Sequence, residues 1–326
     1  CIVVVNKIDT HQTPTSVYEF YELGFEHLTV ISAEQSYGLG DLLDMIFDLL
    51  PEDSDTEWEE DSLKIALIGK PNVGKSSLVN RILNESRMIV TDIPGTTRDA
   101  IDSFYEKDGK KYTIIDTAGL RRQRSIDSKV EAYSAIRTYN AIDRSELCIF
   151  LIDAEEGVTE QDTKITGYAH DNKKAAVIAV NKWDLVEKET NTQRDYEKAV
   201  RTKLSFMPYA PVVFISVKDN LRINQLFQMV DYVDNNYSFR VQTGVLNSII
   251  RDAIALNPPP TDKGKRLKIF YALQVTTRPP KFIFYVNDEK LFHFSYLRYL
   301  ENQIRANFDF TGVPIEFEIR QREERQ

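Results

Sequence analysis

Residues 63–83 read LKIALIGKPNVGKSSLVNRIL, in which a short apolar run, a glycine-containing loop and an amphipathic segment follow one another. The loop GKPNVGKS matches the pattern GxxxxGK[ST], and it lies between a predicted strand and a predicted helix. In that context the glycines let backbone N–H groups and the helix N-terminus surround phosphate oxygens. We therefore predict a phosphate loop that binds a nucleotide. Its predicted contact residues are Gly69, Asn72, Val73, Gly74, Lys75, Ser76 and Ser77.

Further positions complete a predicted site for hydrolysis of a nucleoside triphosphate with Mg²⁺. Lys75 is placed to neutralise the β- and γ-phosphate oxygens, and the Ser76 hydroxyl to reach the metal. Asp116, in IIDTAGL, ends the next strong strand, where a carboxylate can hold Mg²⁺ through water, and the Gly119 N–H is placed to meet the γ-phosphate. Thr97, in TDIPGTTRD, lies where a switch segment belongs and is a candidate ligand for Mg²⁺ and sensor of the γ-phosphate. A plain Pro-Gly turn is the alternative interpretation of that segment.

The tetrapeptide NKWD follows a later apolar run and predicts the base. Guanine offers hydrogen-bond donors at N1 and at its exocyclic amine, and one carboxylate, Asp184, can accept from both. Adenine cannot offer that pair of donors. Asn181 is placed to reach N7, and Lys182 to lie along the base and tie this loop to the phosphate loop. Ser216 and the backbone N–H of Val217 are placed to meet O6. We therefore expect GTP or GDP.

Five apolar runs repeat along the middle of the chain, each short, rich in Val and Ile, and continuous rather than alternating. Such runs are typical of strands covered on both faces, and most are separated by polar stretches long enough for crossover helices. The pattern predicts an α/β fold of the P-loop NTPase type with a doubly wound, mainly parallel sheet. The predicted strands are residues 63–69, 112–117, 146–153, 175–182 and 211–217, and residues 76–84 and 222–235 are predicted helices.

Residues 1–50 repeat the end of this pattern. CIVVVNKID is an apolar run followed by NKxD, HLTVISA is a second run, and LGDLLDMIFDLL is amphipathic at helical spacing. Aligning NKID with NKWD also aligns ISAE (31–34) with ISVK (215–218). We interpret this segment as the last third of a second nucleotide-binding domain whose phosphate loop is not in this chain. We expect it to be disordered or to depend on further residues, because it would leave strand edges open. Its predicted nucleotide-contacting residues are Asn6, Lys7, Asp9, Ser32 and Ala33.

Composition and pattern divide the rest of the chain into three parts. Residues 51–62 begin with PEDSDTEWEED, where seven of eleven residues are acidic, and we interpret them as a linker. Residues 63–237 form the predicted nucleotide-binding domain. Residues 238–326 show helical, strand, strand, helical and strand patterns in that order, which predicts a small α+β domain. Ser295 is placed to cap its second helix.

The composition is that of a globular protein, with 42% hydrophobic and 28% charged residues among 326. No apolar run approaches the roughly 18 residues of a membrane span and no signal-peptide pattern opens the chain, so we expect a cytoplasmic monomer without membrane contact. The net charge of −9 is uneven, since residues 239–326 carry 14 basic against 10 acidic residues and the preceding ones 27 against 40. The C-terminal domain is therefore the better candidate for contacts with anions. Neither Cys1 nor Cys148 is expected to form a disulfide.

Together these motifs resemble the EngA family, also called Der, of bacterial GTPases with two tandem G domains and a KH-like domain. GKPNVGKSS, TDIPGTTRDAID, DTAGLR and NKWD resemble the second G domain, and TRPPKFIFYVND and HFSYLRYLENQIR resemble the C-terminal domain. Residues 1–50 resemble the end of the first G domain. The resemblance implies GTP hydrolysis and a role in assembly of the large ribosomal subunit. It also implies binding to ribosomal RNA and precursor particles in one nucleotide state and release in another.

The resemblance further implies a particular mode of hydrolysis. Leu120 follows DTAG where Ras-like proteins place a glutamine that orients the attacking water, and leucine cannot do this. In related GTPases with this replacement, K⁺ held partly by the phosphate-loop asparagine supplies positive charge, and the matching residue here is Asn72. We expect slow hydrolysis that K⁺ stimulates more than Na⁺; the alternative is that Asn72 only shapes the loop. Three following arginines are candidates for a catalytic finger, for RNA contacts or for solvated side chains: Arg121, Arg122 and Arg124.

The C-terminal domain lacks the GxxG loop with which KH domains clamp a nucleic-acid backbone, because its glycines are isolated in the sequence. Any RNA contact there needs other groups, or the domain serves as a docking surface for the G domains. One basic cluster is either a solvated turn or an RNA contact: Lys263, Lys265, Arg266 and Lys268. Two other functions stay open for the chain. One is an interaction module that binds nucleotide but barely hydrolyses it; the other is an RNA-modification GTPase, although no segment resembles a modification centre.

Overall fold

The computed structural model describes residues 2–8, 62–85, 102–117, 131–262 and 264–322, with shorter pieces between residues 14 and 49. The chain divides into two compact units, residues 1–60 and residues 61–326. Within the described ranges, no helix is long and apolar enough to cross a membrane. The first unit contains the parallel strands β1 (Ile2–Val5) and β2 (His27–Val30).

The second unit begins with strands and helices that alternate along most of the chain. The strands are β3 (Leu63–Ile68), β4 (Ser103–Lys107), β5 (Lys110–Ile115), β6 (Leu147–Asp153), β7 (Ala175–Asn181) and β8 (Val212–Phe214). The helices are α1 (Lys75–Glu85), α2 (Glu131–Arg144), α3 (Glu160–Asp171), α4 (Thr192–Lys203) and α5 (Ile223–Ser238). The six strands form one sheet in the order β4-β5-β3-β6-β7-β8. Buried side chains pack on both faces of β6 and β7, which explains why their sequences are apolar without alternation.

The predicted α/β fold with a mainly parallel sheet is confirmed, and the sheet contains one strand that the sequence analysis missed. β4 pairs antiparallel with β5, and Phe104 lies opposite Thr113. Asp108 and Gly109 connect the two strands with positive φ angles of 53° and 78°. An Asp-Gly pair between two runs is the usual signal for a tight hairpin, so the pattern DG could have revealed this strand.

The C-terminal part of the second unit is the predicted α+β arrangement with a short additional hairpin. Its elements are α6 (Thr243–Leu256), β9 (Thr261–Asp262), β10 (Lys265–Arg266), β11 (Ile269–Thr277), β12 (Pro280–Val286), α7 (Phe294–Asn307) and β13 (Glu316–Gln321). β12 is central in a three-stranded sheet, antiparallel to β11 and parallel to β13. The first helix packs on this sheet and on the second helix. The sheet therefore has one face covered by helices.

The cap of α7 differs from the prediction that Ser295 caps it. The helix begins at Phe294, and His293 is the N-cap residue. The His293 Nδ1 accepts a hydrogen bond of 3.2 Å from the Ser295 backbone N–H, and the Ser295 hydroxyl lies 2.7 Å from the same nitrogen. The prediction was wrong because an imidazole two residues upstream satisfies the free N–H that a serine cap would have bound.

The C-terminal part packs directly against the sheet-containing part of the same unit, with one apolar core running through both. The Gly312 carbonyl accepts a hydrogen bond of 2.8 Å from the Ala176 N–H, and the Gly312 N–H donates one of 2.7 Å to the Tyr209 carbonyl. Arg278, in the turn between β11 and β12, forms ion pairs with Glu146 at 2.8 Å and Asp234 at 2.6 Å. Backbone and ionic contacts therefore both fix this packing.

Candidate functional site: a nucleotide cleft

The phosphate loop connects β3 to α1 in a conformation that requires its glycines. Gly74 has a φ of 104°, and a Cβ atom built on it would lie 2.3 Å from the Asn181 Nδ2. A Cβ atom on Gly69 would lie 2.5 Å from the Leu151 carbonyl oxygen. Asn72 adopts a left-handed φ of 63°, which asparagine tolerates better than most residues. The loop is thus held open and close to its neighbours, as phosphate binding through backbone N–H groups requires.

Lys75 stands at the start of α1 with its ammonium group turned onto the loop. Its Nζ donates hydrogen bonds to the carbonyl oxygens of Gly69 and of Lys70, the latter at 2.5 Å. Burial lowers the pKa of Lys75 to about 8, and the nearby Asp162 offsets this only in part. A buried cation held by neutral carbonyls gains favourable interaction energy when an anion approaches, so this lysine is suited to bind phosphate.

Asn181 joins the phosphate loop to the base side of the cleft. Its Nδ2 donates to the Val73 carbonyl at 2.7 Å, and its Oδ1 accepts from the Val217 N–H at 3.1 Å. From the sequence, Lys182 was expected to tie the two loops together. The Lys182 ammonium instead pairs with Asp153 at 2.5 Å, which raises the pKa of Lys182. Lys182 pairs there because its φ is 63° and Asp153 ends the adjacent strand β6.

Asp184 carries the feature expected of a group that binds guanine. Among the described residues its Oδ1 has no hydrogen-bond partner, although that atom is buried. A hydrogen bond from the Ser216 side chain lowers the pKa of Asp184, so the carboxylate is ionised at neutral pH. Trp183 is buried beside Phe214, with ring centroids 4.4 Å apart, and this packing fixes the backbone that presents the carboxylate. A charged carboxylate oxygen that is buried without a hydrogen-bond donor destabilises the folded protein, and a ligand that donates a hydrogen bond to it removes this penalty.

One cleft of about 670 Å³ joins the phosphate loop to the NKWD segment. Its lining residues are Asn72, Gly74, Ser77, Asn80, Arg81, Asn181, Lys182, Asp184, Leu185, Val217 and Lys218. Arg81, on α1, donates hydrogen bonds to the carbonyls of Val217 at 3.3 Å and Lys218 at 3.4 Å. The sequence analysis missed this arginine. Its position four residues after Ser77 on the same helix was the available signal, because residues four apart share a helix face.

The expected magnesium side of the site is described in part. Ser76 lies in the first turn of α1, and Asp116 follows β5 with a φ of 57°. The Asp116 N–H donates to the Asp102 Oδ1 at 2.9 Å, and Asp102 pairs with Arg144. These two residues, also missed from sequence, hold the backbone that presents Asp116. The described residues contain no group of three or more His, Cys, Asp or Glu side chains suited to a metal. A Mg²⁺ ion bound mainly by phosphates and water needs only one or two protein ligands.

Several predicted positions lie outside the described residues. They are Asp9, the switch segment 91–99 with Thr97, the second switch with Gly119, Leu120, Arg121, Arg122 and Arg124, and the linker 51–61. Cys148 is described and is fully buried, which raises the pKa of its thiol to about 11. Its side chain is therefore part of the apolar core.

The first unit repeats the base side of this cleft. The Asn6 Oδ1 accepts from the Ala33 N–H at 3.1 Å, as the Asn181 Oδ1 accepts from the Val217 N–H. Lys7 has a φ of 69°, close to the 63° of its counterpart in NKWD. Ser32 is buried, as is the serine at the matching position of the second unit.

Backbone hydrogen bonds extend the correspondence. The Ile8 N–H donates to the Ile31 carbonyl at 3.1 Å, and the Trp183 N–H donates to the Ile215 carbonyl at 3.0 Å. Because each bond links residues that the two motifs had aligned, the segment has the local structure of a second base-binding loop.

Comparisons with known proteins agree with this geometry. A family model described as 50S ribosome-binding GTPase matches residues 64–182, and one described as the KH-domain-like C-terminal domain of EngA bacterial GTPase enzymes matches residues 240–320. GTPase Der of Finegoldia magna is 60% identical over 98% of this chain and 73% of its own length. GTPase Der of Ruminiclostridium cellulolyticum is 54% identical over 99% of this chain and 73% of its own. Among solved structures, Aquifex aeolicus Era bound to GDP and AlF₄⁻ has a TM-score of 0.40 and 19% identity over 79% of this chain and 92% of its own.

A mainly parallel sheet with a phosphate loop at one end of the cleft and, at the other end, a carboxylate with one buried, unpartnered oxygen defines a P-loop GTPase. The chain belongs to the GTPase Der (EngA) family. It is accordingly a GTP-binding, GTP-hydrolysing enzyme with a KH-like C-terminal domain.

Proposed function

We propose that this GTPase is a nucleotide-controlled assembly factor for the large ribosomal subunit. It binds ribosomal RNA or precursor particles in one nucleotide state and leaves in another, and such a factor acts in the cytoplasm as a monomer. One observation supports a nucleotide-controlled binder above all: Asn181 bonds both Val73 of the phosphate loop and Val217 of the base loop, so one side chain links the two ends of the cleft that a nucleotide would occupy. The family description as a ribosome-binding GTPase supports the choice of partner.

Each side chain of the cleft has a proposed part in this activity. Lys75 binds the β- and γ-phosphates, Ser76 and Asp116 hold Mg²⁺ together with Thr97, and Gly119 binds the γ-phosphate. The bound Mg²⁺ supplies charge neutralisation of the phosphate oxygens. The remaining contacts come from the phosphate loop and the base loops: Gly69, Asn72, Val73, Gly74, Ser77, Asn181, Lys182, Asp184, Ser216 and Val217.

The domain organisation is part of the proposal. Residues 1–50 are the end of a first G domain, and Asn6, Lys7, Asp9, Ser32 and Ala33 are its base-binding residues. Residues 51–62 are a linker. Residues 63–237 are the second G domain and residues 238–326 the KH-like domain. The repeated hydrogen bonds of the two base loops support the assignment of the first segment.

Particle binding tests the function directly. Large-subunit precursor particles are sedimented with the protein in GDP, in a non-hydrolysable GTP analogue, or without nucleotide. We expect sedimentation to depend on nucleotide and this dependence to disappear in Lys75→Ala, which removes the phosphate-binding charge. Loss of GTP hydrolysis in Lys75→Ala with particle binding intact in all nucleotide states would favour the second candidate, an interaction module whose G domain binds nucleotide but barely hydrolyses it.

K⁺ is the proposed second cation of hydrolysis. Asn72 supports this because its side chain is exposed at the rim of the cleft, where it can supply an oxygen ligand. We expect GTP turnover to be faster in K⁺ than in Na⁺ by about tenfold or more, a difference typical of one missing positive charge at a phosphoryl transition state.

A substitution at Asn72 distinguishes its two possible roles, as a ligand of K⁺ or as a residue that only shapes the phosphate loop. Asn72→Gly keeps the left-handed φ of 63° accessible and removes the oxygen. We expect it to retain GDP affinity and to lose the preference for K⁺, measured by steady-state hydrolysis in matched salts. Equal turnover of the wild-type protein in K⁺ and Na⁺ would show that no K⁺ acts in this site.

A further inference from the structure

The KH-like sheet has a second face, opposite its helices, that carries aromatic and basic side chains. Phe282 and Phe284 of the central strand β12 point to the helices and are fully buried. The alternate residues of each strand lie on the opposite face. There the strand register places Tyr271, Tyr285 and Arg320 next to one another, one from each of the three strands.

The aromatic rings of this face are exposed, and contacts with neighbouring side chains fix their orientation. Tyr271 and Tyr285 stack with ring centroids 4.4 Å apart and an interplanar angle of 15°. Tyr271 is 38% exposed and Phe270, at an irregularity in β11, is 45% exposed. The Arg322 guanidinium lies 5.3 Å from the centre of the Phe270 ring. Flat aromatic and guanidinium surfaces are thus presented side by side, outside the apolar core.

The charges of this face favour an anionic ligand that also has flat rings. Glu318 pairs with Lys281 at 2.8 Å and with Arg320 at 2.5 Å, so its carboxylate is already neutralised. The Arg320 side chain is still 50% exposed, and Arg322 is exposed. Glu316 is the other acidic residue in this part of β13. Among the described residues of this face, three basic side chains, Lys281, Arg320 and Arg322, therefore lie beside two acidic ones, on a domain that is itself net basic.

We propose that this aromatic–arginine face, formed by Phe270, Tyr271, Tyr285, Arg320 and Arg322, binds single-stranded RNA by base stacking. Nucleobases stack on aromatic rings and guanidinium planes, while the phosphates gain from the exposed arginines. A protein partner could pack against the aromatic rings, but proteins do not in general carry the regular anionic groups that two neighbouring guanidinium groups would bind. The choice of RNA as the ligand rests on the proposed function. The aromatic–arginine face would bind RNA in place of the GxxG loop, which this domain lacks.

Binding of a labelled oligonucleotide tests the face in the whole chain. The probe is a fluorescein-labelled, mixed-sequence single-stranded RNA of about 12 nucleotides, measured by anisotropy at fixed ionic strength. Tyr271→Thr removes one stacking ring but keeps a residue that favours strands. We expect it to weaken binding about tenfold. The matched control is Phe294→Ser, because Phe294 is 73% exposed on a helix of the opposite side, and its affinity is expected to stay within about twofold of wild type.

A second variant and a crosslinking experiment test the same face if Tyr271→Thr proves unstable. Arg322→Gln is expected to weaken binding about fivefold and to lower the salt dependence by about one phosphate contact. RNA containing 4-thiouridine is expected to crosslink to Phe270, Tyr271 or Tyr285 on irradiation, as mapped by mass spectrometry. Absence of RNA binding, unchanged affinity in both variants, or crosslinks confined to other regions would each overturn the inference.

Particle sedimentation separates this inference from the proposed function. Nucleotide-dependent sedimentation of wild type together with unchanged oligonucleotide affinity of Tyr271→Thr overturns the RNA face and retains the assembly role. Failure of wild type to sediment with particles, together with the expected loss in Tyr271→Thr and crosslinks at the face, overturns the assembly role and supports the RNA face.

Discussion

At the scale of single residues, Asp184 is the proposed determinant of which base the cleft accepts. Its buried oxygen has no partner among the described residues, and its pKa is lowered by the Ser216 hydrogen bond, so the carboxylate can accept two donors from guanine without first losing a proton. The NKWD motif predicted this role. The motif did not predict the Trp183 packing that holds the carboxylate in place, because that contact comes from residues distant in sequence.

Asp184→Asn is expected to exchange guanine for xanthine. The asparagine amide group donates a hydrogen bond where guanine also has a donor, its exocyclic amine. Xanthine has a carbonyl oxygen at that position, which can accept the hydrogen bond. We expect GTP affinity to fall by about a hundredfold, the loss of two hydrogen bonds to a charged group, and XTP to bind better than GTP. Competition calorimetry measures both. Asp219→Asn, which changes an exposed carboxylate in the loop after β8, is the control and should bind GTP normally.

Gly74 is the residue whose size holds the phosphate loop against Asn181. In Gly74→Ala the new Cβ atom would be built 2.3 Å from the Asn181 Nδ2, so the loop or the asparagine must move. We expect GDP affinity to fall about a hundredfold, because the bond from Asn181 to the loop is lost and the positive φ is strained.

Gly109→Ala controls for backbone strain alone. Gly109 has a φ of 78°, and nothing lies within 4 Å of a Cβ atom built there. We expect a loss of about 1 kcal/mol in the free energy of unfolding and no change in GDP affinity. If both alanine variants bind GDP like wild type, the close approach of loop and asparagine has no part in the site.

At the scale of secondary-structure elements, the turn between β11 and β12 connects the KH-like part to the GTPase sheet through Arg278. Its guanidinium pairs with Glu146, at the start of β6, and with Asp234, on α5, and it also bonds the Ser238 hydroxyl at 2.6 Å. Burial raises the pKa of Asp234, although Arg278 opposes this. The apolar patterns predicted strands β11 and β12. They could not predict which carboxylates the Arg278 side chain in the turn between them would contact.

Arg278→Ala is expected to destabilise this packing. It leaves two carboxylates and a hydroxyl without their shared donor, and we expect the free energy of unfolding to fall by about 2 kcal/mol in urea titration. Lys110→Ala is the control, because its pair with Asp231 at 3.3 Å is solvent-exposed, and about 0.5 kcal/mol or less is expected. Equal losses in the two variants would mean that Arg278 acts as an ordinary surface ion pair.

At the scale of the whole second unit, a partly buried histidine lies where the KH-like part packs against the GTPase sheet. His170, at the end of α3, lies 3.0 Å from the Tyr209 hydroxyl, and the Arg305 guanidinium lies 5.4 Å from the centre of the Tyr209 ring. Burial, with a contribution from Lys173, lowers the pKa of His170 below its usual value. The folded state therefore disfavours the protonated imidazole.

The expected consequence is loss of stability in acid. Because the pKa of His170 is lower in the folded than in the unfolded chain, the unfolded chain takes up the proton first as the pH falls below about 6.5. The free energy of unfolding should decrease from about pH 7 to about pH 5. His170→Gln should remove part of that decrease in urea titrations at each pH. An identical slope in wild type and variant would assign the acid sensitivity to other groups.

The sequence by itself determined the five parallel strands of the sheet, the phosphate loop and the base-binding motif, because apolar runs and short motifs are local and their physical requirements are strict. It did not show that Asn181 rather than Lys182 joins the two loops, that Arg81 bonds the base loop, or that Asp102 and Arg144 hold the backbone at Asp116. Those contacts join residues far apart in the chain, and only the packed strands and helices bring them within hydrogen-bonding distance. The exposed row of rings on the KH-like sheet was likewise a result of tertiary structure, since strand register alone sets which side chains become neighbours.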